Sequence, residues 1–201
     1  MRSRKQPWGL PGLPPSMRRK VELSNAMVIA AFLIIWAIIE SGGSGTIEHP
    51  ADPMTEPFPS IFDLDVAREM CRELGASIWH FVQCMWGCPG RKETMMIGVA
   101  DTYEMQKFVD RKCCHKNHAK LHGYDEQGRF RTRITQAYPQ PMCEQLAKAH
   151  MKYMMQKGPT AGDAELSSRV LLEAVDQLRG ERRRALVQHA PLPASFLEAS
   201  G

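Results

Sequence analysis

The longest apolar stretch of the chain runs from Ala26 to Ile39 and contains no charged or strongly polar side chain. A glycine-rich turn at 41–45 follows it, and glycine readily supplies the left-handed residue that ends a helix. The pattern predicts a helix over Val21–Glu40 and then a short strand, GTIEHP, which ends at Pro50.

The surroundings of this apolar helix have three interpretations. A membrane span needs about 20 mainly apolar residues, and shorter runs are more often core helices or signal sequences. Extension to 24–43 gives a marginal span, with the basic residues 18–20 on the side that the positive-inside rule requires. The small residues after the run also suit a signal-peptide cleavage site. We favour a helix buried nearly all round in a layered α/β domain, because a tight turn and a strand follow it directly.

Periodicity and turn residues divide the rest of the chain. Apolar positions recur every three or four residues over Asp63–Leu74, which predicts an amphipathic helix. Two runs rich in β-forming residues, Ser77–Cys84 and Thr94–Val99, flank a turn-forming segment and predict neighbouring strands. Further helices are predicted over 102–112, 141–156 and part of 158–201.

These elements predict three parts of the chain. Residues 1–20 form a basic, proline-rich segment, residues 21–157 an α/β domain, and residues 158–201 a C-terminal amphipathic helix and tail. The last helix is either a binding element for a protein partner or an exposed edge helix. Its apolar stripe consists of Leu166, Val170, Leu171, Val175 and Leu178.

Composition narrows the class and the compartment. The 201 residues are 43% hydrophobic and 24% charged, which is typical of a folded globular protein and excludes wholesale disorder. The net charge of +4 is modest, but basic residues cluster near both ends, where they can contact phosphate or remain solvated. Six cysteines, two of them adjacent, do not fit a small secreted disulfide framework. We therefore favour a reducing intracellular compartment, nuclear or cytoplasmic.

Four sulfur- and nitrogen-bearing residues form a candidate metal site. Cys113, His115 and His118 lie close together in sequence, and Cys84 precedes them. Zinc prefers four such ligands in a tetrahedron, so this set predicts a structural zinc site. The alternative is that the thiols are small buried apolar side chains and the imidazoles face solvent. Three residues are candidate substitutes among the ligands: Cys88, Cys114 and His122.

Two adjacent residues are candidates for acid–base catalysis. Glu48 and His49 end the predicted strand, and open α/β sheets place functional side chains at the carboxyl ends of strands. The alternative is a hydrogen bond that fixes the following loop.

A basic segment is a candidate for contact with nucleic acid. Arg129, Arg131 and Arg133 alternate in a predicted extended piece and flank Phe130. Such arginines can contact phosphate while an aromatic ring stacks on a base. The alternative is an exposed edge strand protected by charge.

A series of short motifs gives a family resemblance. In chain order these include PWGLPGLP, GGSGTIEHPADP, QCMWGCPGRKET, CCHKNH, HGYDEQGRFRT and QAYPQPMCEQLA. The series, over Pro7–Met151, resembles a domain found in mobile-element reading frames of protists, especially dinoflagellates. That domain is similar to the C-terminal half of a class I S-adenosylmethionine-dependent methyltransferase fold. The resemblance implies a partial Rossmann-like sheet with flanking helices, and a nucleic-acid context.

The chain departs from the methyltransferase pattern in two respects. The corner Glu48–Ala51 lacks the second proline and the aromatic residue that amino-methyltransferases have there. The chain before Val21 is also too short to hold the strand and glycine-rich loop that bind the cofactor. The resemblance therefore implies an incomplete domain without demonstrable catalysis, and we expect no tight binding of S-adenosylmethionine. A single-pass membrane protein with a small domain containing cysteine and histidine is the alternative to this interpretation.

Overall fold

The computed structural model describes residues 1–157, in which helices pack on both faces of a small sheet. The elements are α1 (Pro15–Glu40), β1 (Gly45–Pro50), α2 (Asp65–Leu74), β2 (Ser77–Val82), β3 (Glu93–Val99), α3 (Thr102–Asp110) and α4 (Gln140–Lys157). Short 3-10 helices lie at Ile61–Asp63, Gln83–Trp86 and Arg131–Thr135. The predicted C-terminal amphipathic helix and its partner lie outside the described residues.

The sheet has three strands in the order β1-β3-β2, and both pairings are antiparallel. Ile47 of β1 lies opposite Ile97 of β3, and Trp79 of β2 lies opposite Met96. The predicted mixture of helices and strands is confirmed. A Rossmann-like sheet is built on parallel strands joined by crossover helices, and these three strands do not show that topology.

Alternation along the central strand divides the core into two layers. Ile97 packs with Phe32 of α1 and Met70 of α2 on one face. The next residue towards the N-terminus, Met96, packs with Phe108 of α3 and other residues of α3 and α4 on the opposite face. Each of these side chains is at most 2% exposed. Full burial of such a side chain contributes about 1.5–3 kcal/mol, so the sheet is stabilised from both sides.

A glycine allows β1 to lie close to the centre of the sheet. Gly98 of β3 has a φ of +156°, and a Cβ atom there would lie 2.0 Å from the carbonyl oxygen of Gly45. Any other residue at position 98 would push β1 away from β3.

The first helix begins earlier than predicted. It starts at Pro15, so the prediction that residues 1–20 form one irregular segment is wrong for its last six residues. Proline is favoured at the first position of a helix because its φ is already helical and its missing N–H needs no partner there.

Arginine side chains hold the N-terminal residues against the domain. Arg2 donates to the carbonyl oxygen of Val21 at 3.2 Å and to Oδ1 of Asn25 at 2.7 Å. Arg4 forms ion pairs with Asp52 at 2.5 Å and with Asp63 at 2.9 Å. The first residues of the chain are thus held both to α1 and to the loop between β1 and α2.

The prediction that α1 is buried nearly all round is wrong. Phe32 is 1% exposed, and Ile35 and Ile39 pack partly against the same cluster, whereas Ile34 is 57% exposed. The small sheet and α2 cover only one side of a long helix. By length and a mean hydropathy of 2.1, α1 also meets the criteria for a membrane span, as core helices and signal sequences do.

Two local predictions near the candidate sites are wrong. Strand β2 ends at Val82, so Cys84 lies in a 3-10 helix and not in the strand. The predicted extended segment that carried the alternating arginines is instead a 3-10 helix from Arg131 to Thr135. In both places the chain turns tightly, and strand propensity over a few residues does not reveal this.

A buried carboxylate joins α3 to α4. Glu104 is 3% exposed and accepts hydrogen bonds from Lys107 at 2.5 Å and from Gln145 of α4 at 2.9 Å. Lys148 of α4 lies 3.5 Å from the same carboxylate. The hydrogen bonds from Lys107 and Gln145, with the positive charge of the lysines, lower the pKa of Glu104 to about 2.

We expect Glu104→Gln to reduce the free energy of unfolding at pH 7. In the wild type, the contribution of this ionised carboxylate is fully present above its unfolded pKa of about 4.3. It is lost as the pH falls towards 2, because the proton then binds the folded state as well. Urea denaturation at several pH values should therefore show that the free energy of unfolding changes less with pH in the variant than in the wild type, between about pH 4 and 2. The exposed control Glu73→Gln should follow the wild type, and equal slopes for Glu104→Gln and wild type would contradict the assignment.

Candidate metal centre

The end of β2 places one cysteine rigidly beside the sheet. Cys84 is 5% exposed and lies in the 3-10 helix that follows the strand. Gly87 ends this turn with a φ of +103°, and the N–H of Cys88 donates to the carbonyl oxygen of Gln83 at 3.2 Å. The Cys84 thiol is therefore held by backbone geometry that belongs to the sheet.

The other three candidate ligands come from the long connection between α3 and α4, residues 111–139. This connection passes over the turn that follows Cys84. The N–H of Ala119 donates to the carbonyl oxygen of Pro89 at 2.9 Å. Leu121 covers Gly90, where a Cβ atom would lie 2.4 Å from the leucine side chain. These two contacts bring the start of the connection over Cys84.

The structure brings all four predicted ligands together. Sγ of Cys113 lies 3.2 Å from Nε2 of His118 and 3.7 Å from Nδ1 of His115. The ligand atoms of these residues and of Cys84 all lie within 4.8 Å of one another. A tetrahedral ion with bonds of about 2.0–2.3 Å holds its ligands roughly 3.3–3.8 Å apart. The cluster could hold a metal ion after small side-chain adjustments.

The three candidate substitutes do not belong to this group. Within residues 1–157 the group contains one of the two adjacent cysteines, Cys113, and not Cys114, whose side chain is exposed. Cys88 is buried nearby and His122 is exposed. The four residues of the cluster are therefore the four that the sequence predicted as ligands.

The environment of the Cys84 thiol favours its protonated form when no cation is bound. Burial, together with a hydrogen bond to Cys113, raises the pKa of Cys84 to about 11, and the positive charge of Arg91 opposes the shift. Thiolate, not thiol, binds metals. A cation at the cluster would therefore displace protons, and its charge would stabilise both thiolates.

The two candidate catalytic residues do not form a pair. Glu48 lies 3.2 Å from Nζ of Lys92 and accepts hydrogen bonds from Gln83 at 3.3 Å and from the Tyr138 hydroxyl at 2.8 Å. Nδ1 of His49 lies 3.0 Å from the carbonyl oxygen of Pro50. Burial and the bond to Glu48 raise the pKa of Tyr138. Glu48 thus joins β1 to the end of the connection, and catalysis by either residue stays a prediction from the sequence.

The basic segment forms a small hairpin. Asp125 accepts hydrogen bonds from the N–H of Arg129 at 2.8 Å and of Gln127 at 3.0 Å, and its carboxylate pairs with the Arg129 side chain at 2.8 Å. The rings of Tyr124 and Phe130 lie 4.6 Å apart between centroids, and both are more than half exposed. The hairpin presents two aromatic rings to solvent beside the arginines.

The four residues predicted to contact nucleic acid surround one cavity of about 300 Å³. Its lining contains four cationic side chains and one carboxylate, so its net charge is positive. The polar and aromatic lining residues are Lys120, Asp125, Arg129, Phe130, Arg131 and Arg133. Lys120 was not predicted, because it lies outside the alternating segment and reaches the cavity only through the fold of the connection.

The chain has no significant match to a protein-family model, to a curated protein or to a solved structure. The resemblance to mobile-element and methyltransferase domains therefore stays a prediction.

We expect the protein purified from zinc-supplemented cells to contain one equivalent of zinc. Cys113→Ser should reduce this below about 0.1 equivalent, because serine does not supply the soft sulfur ligand that zinc prefers. Cys114→Ser, which changes the adjacent exposed cysteine, should retain the metal. Elemental analysis after exhaustive dialysis measures both. Loss of zinc in Cys114→Ser with retention in Cys113→Ser would contradict the ligand assignment.

Proposed function

We propose that this protein binds single-stranded nucleic acid through the connection 111–139, and that a structural zinc ion holds this connection on the sheet. The observation that carries the proposal is the convergence of Cys84, Cys113, His115 and His118 at the base of the connection. The cluster joins a rigid strand end to the segment in which basic and aromatic side chains are concentrated.

The ligand chemistry favours zinc. Two thiolates and two imidazoles are soft and borderline donors, which suit zinc better than magnesium, calcium or manganese. Four protein ligands complete a tetrahedron and leave no position for water or substrate, which is typical of a structural site and not of a catalytic one. The ion in this proposal holds the chain and takes no part in a reaction.

The distribution of charge supports a polyanionic partner. Residues 111–133 contain seven basic residues (Arg111, Lys112, Lys116, Lys120, Arg129, Arg131 and Arg133) and two acidic ones (Asp125 and Glu126). Their net charge of +5 exceeds the +4 of the whole chain, so the remainder is close to neutral. Positive charge concentrated on one segment attracts phosphate backbones and releases their counterions on binding.

The exposed rings favour single strands over duplexes. Tyr124 and Phe130 present aromatic faces beside the cationic cavity. Stacking of an unpaired base on such a ring contributes about 1–3 kcal/mol, and it requires a base that is free of its complement. Binding of phosphates in the cavity and stacking of bases on the rings would explain why arginine and aromatic residues occur side by side in this segment. This nucleic-acid role also suits the proposed descent from a mobile-element reading frame with a methyltransferase-like ancestry, which rests on the motif series alone.

We expect the zinc-loaded protein to bind a fluorescein-labelled 20-nucleotide RNA or DNA strand with an affinity that falls as salt rises. Arg131→Ala/Arg133→Ala should weaken binding at least tenfold. Binding should also depend less on salt. The slope of log binding constant against log salt concentration should fall in magnitude by about 1.4, because two phosphate contacts are lost and each contributes about 0.7 on a single strand. Fluorescence anisotropy from 50 to 300 mM salt measures both quantities.

The control variant removes the same charge elsewhere. Arg68→Ala/Arg72→Ala changes two exposed arginines of α2, and we expect less than a twofold loss. Equal losses in the two variants would mean that only net charge matters. No binding by the wild type at 50 mM salt would exclude the proposed function.

A further inference from the structure

The side of α1 opposite to the buried Phe32 is apolar over most of its length. We define the α1 seam as Leu23, Met27, Ala30, Ile34 and Ile38. Leu23 is 64% exposed, Met27 67% and Ile34 57%, while Phe32 on the opposite side of the helix is buried. The seam residues are spaced by three or four, so they lie on one side of the helix. A helix that is apolar all round is normally covered on every side.

The packing of α1 argues against a membrane span as the cover. Phe32, Ile35 and Ile39 pack with the cluster that contains Ile97 of β3 and Met70 of α2. A spanning α1 would draw the open edge of β1 and the charged side of α2 into hydrocarbon, where unpaired backbone groups cost several kcal/mol each. The observed fold and a span therefore require different contacts from the same residues.

We propose that two copies of this protein associate through the α1 seam, with the two helices antiparallel about a two-fold axis. In this arrangement Leu23 of each copy lies opposite Ile34 of the other, and Met27 lies opposite Ala30. Residues spaced alternately by four and three interdigitate in this way between two helices. The exposed small residues Ala26 and Ala30, near the middle of the helix, allow the backbones to approach closely. The same surface is used by both copies, as a two-fold interface requires.

The charges at the two ends of α1 favour the antiparallel direction. Arg19 and Lys20 are exposed at the N-terminal end, and Glu40 is exposed at the C-terminal end. Antiparallel pairing brings Arg19 of each copy level with Glu40 of the other to within about one turn. Parallel pairing would instead place the basic residues 18–20 of both copies together, and such repulsion disfavours that register.

Light scattering during size-exclusion chromatography of the full chain, at 5–100 µM, tests the proposal. We expect a mass close to twice 22.7 kDa for the wild type. Ile34→Glu, which places a charge in the seam, should give the mass of one chain. Met155→Glu changes a residue that is 74% exposed on α4 and should retain the mass of the wild type. Circular dichroism should show the same helix content for all three proteins.

Charge reversal tests the direction of the pairing. Arg19→Glu and Glu40→Arg should each raise the dimer dissociation constant about fivefold, and the double reversal should restore it to within twofold of the wild type. A monomeric wild type at 100 µM would overturn the proposal, and so would a double reversal that does not restore association. A monomer that floats with anionic phosphatidylserine vesicles through the seam would assign this surface to lipid instead.

Discussion

A metal ion bound by Cys84, Cys113, His115 and His118 would be the strongest interaction that holds the connection 111–139 on the sheet. Thr135 is the one buried residue of this segment, so the hydrophobic core does little to hold it. Ordering each backbone residue costs about 1–2 kcal/mol, and a few turn hydrogen bonds do not offset that cost over so long a segment. Binding of a structural zinc ion contributes about 10–16 kcal/mol in small metal-dependent folds. A metal ion at this cluster would be strong enough to order the connection.

The sheet gives the cluster its rigidity. The central strand β3 is buried on both faces, and β2 beside it ends at the turn that carries Cys84. The far end of the connection is fixed separately, where the Tyr138 hydroxyl donates to Glu48 of β1. The basic hairpin lies between these two anchors and stays exposed. A small core thus supports a surface that is itself too polar to fold by burial.

The sequence predicted some elements and not others, and the differences have physical reasons. Strand β1 has the predicted bounds because a glycine turn and a proline mark its two ends. The surroundings of α1 were not predictable, since hydropathy shows that a helix is apolar but not which side the sheet covers. The candidate metal ligands were recognisable by their chemistry and their proximity in sequence, and the structure brings the same four residues together. The prediction of an extended segment with alternating arginines was wrong because the Asp125 side chain organises a local turn.

The proposed zinc ion, bound by two thiolates and two imidazoles, would hold the connection on the sheet. X-ray absorption spectroscopy at the zinc edge of the purified protein tests it most directly. We expect a four-coordinate ion with two sulfur atoms at about 2.3 Å and two nitrogen atoms at about 2.0–2.1 Å. A first shell made only of oxygen and nitrogen, or one with six ligands, would contradict it.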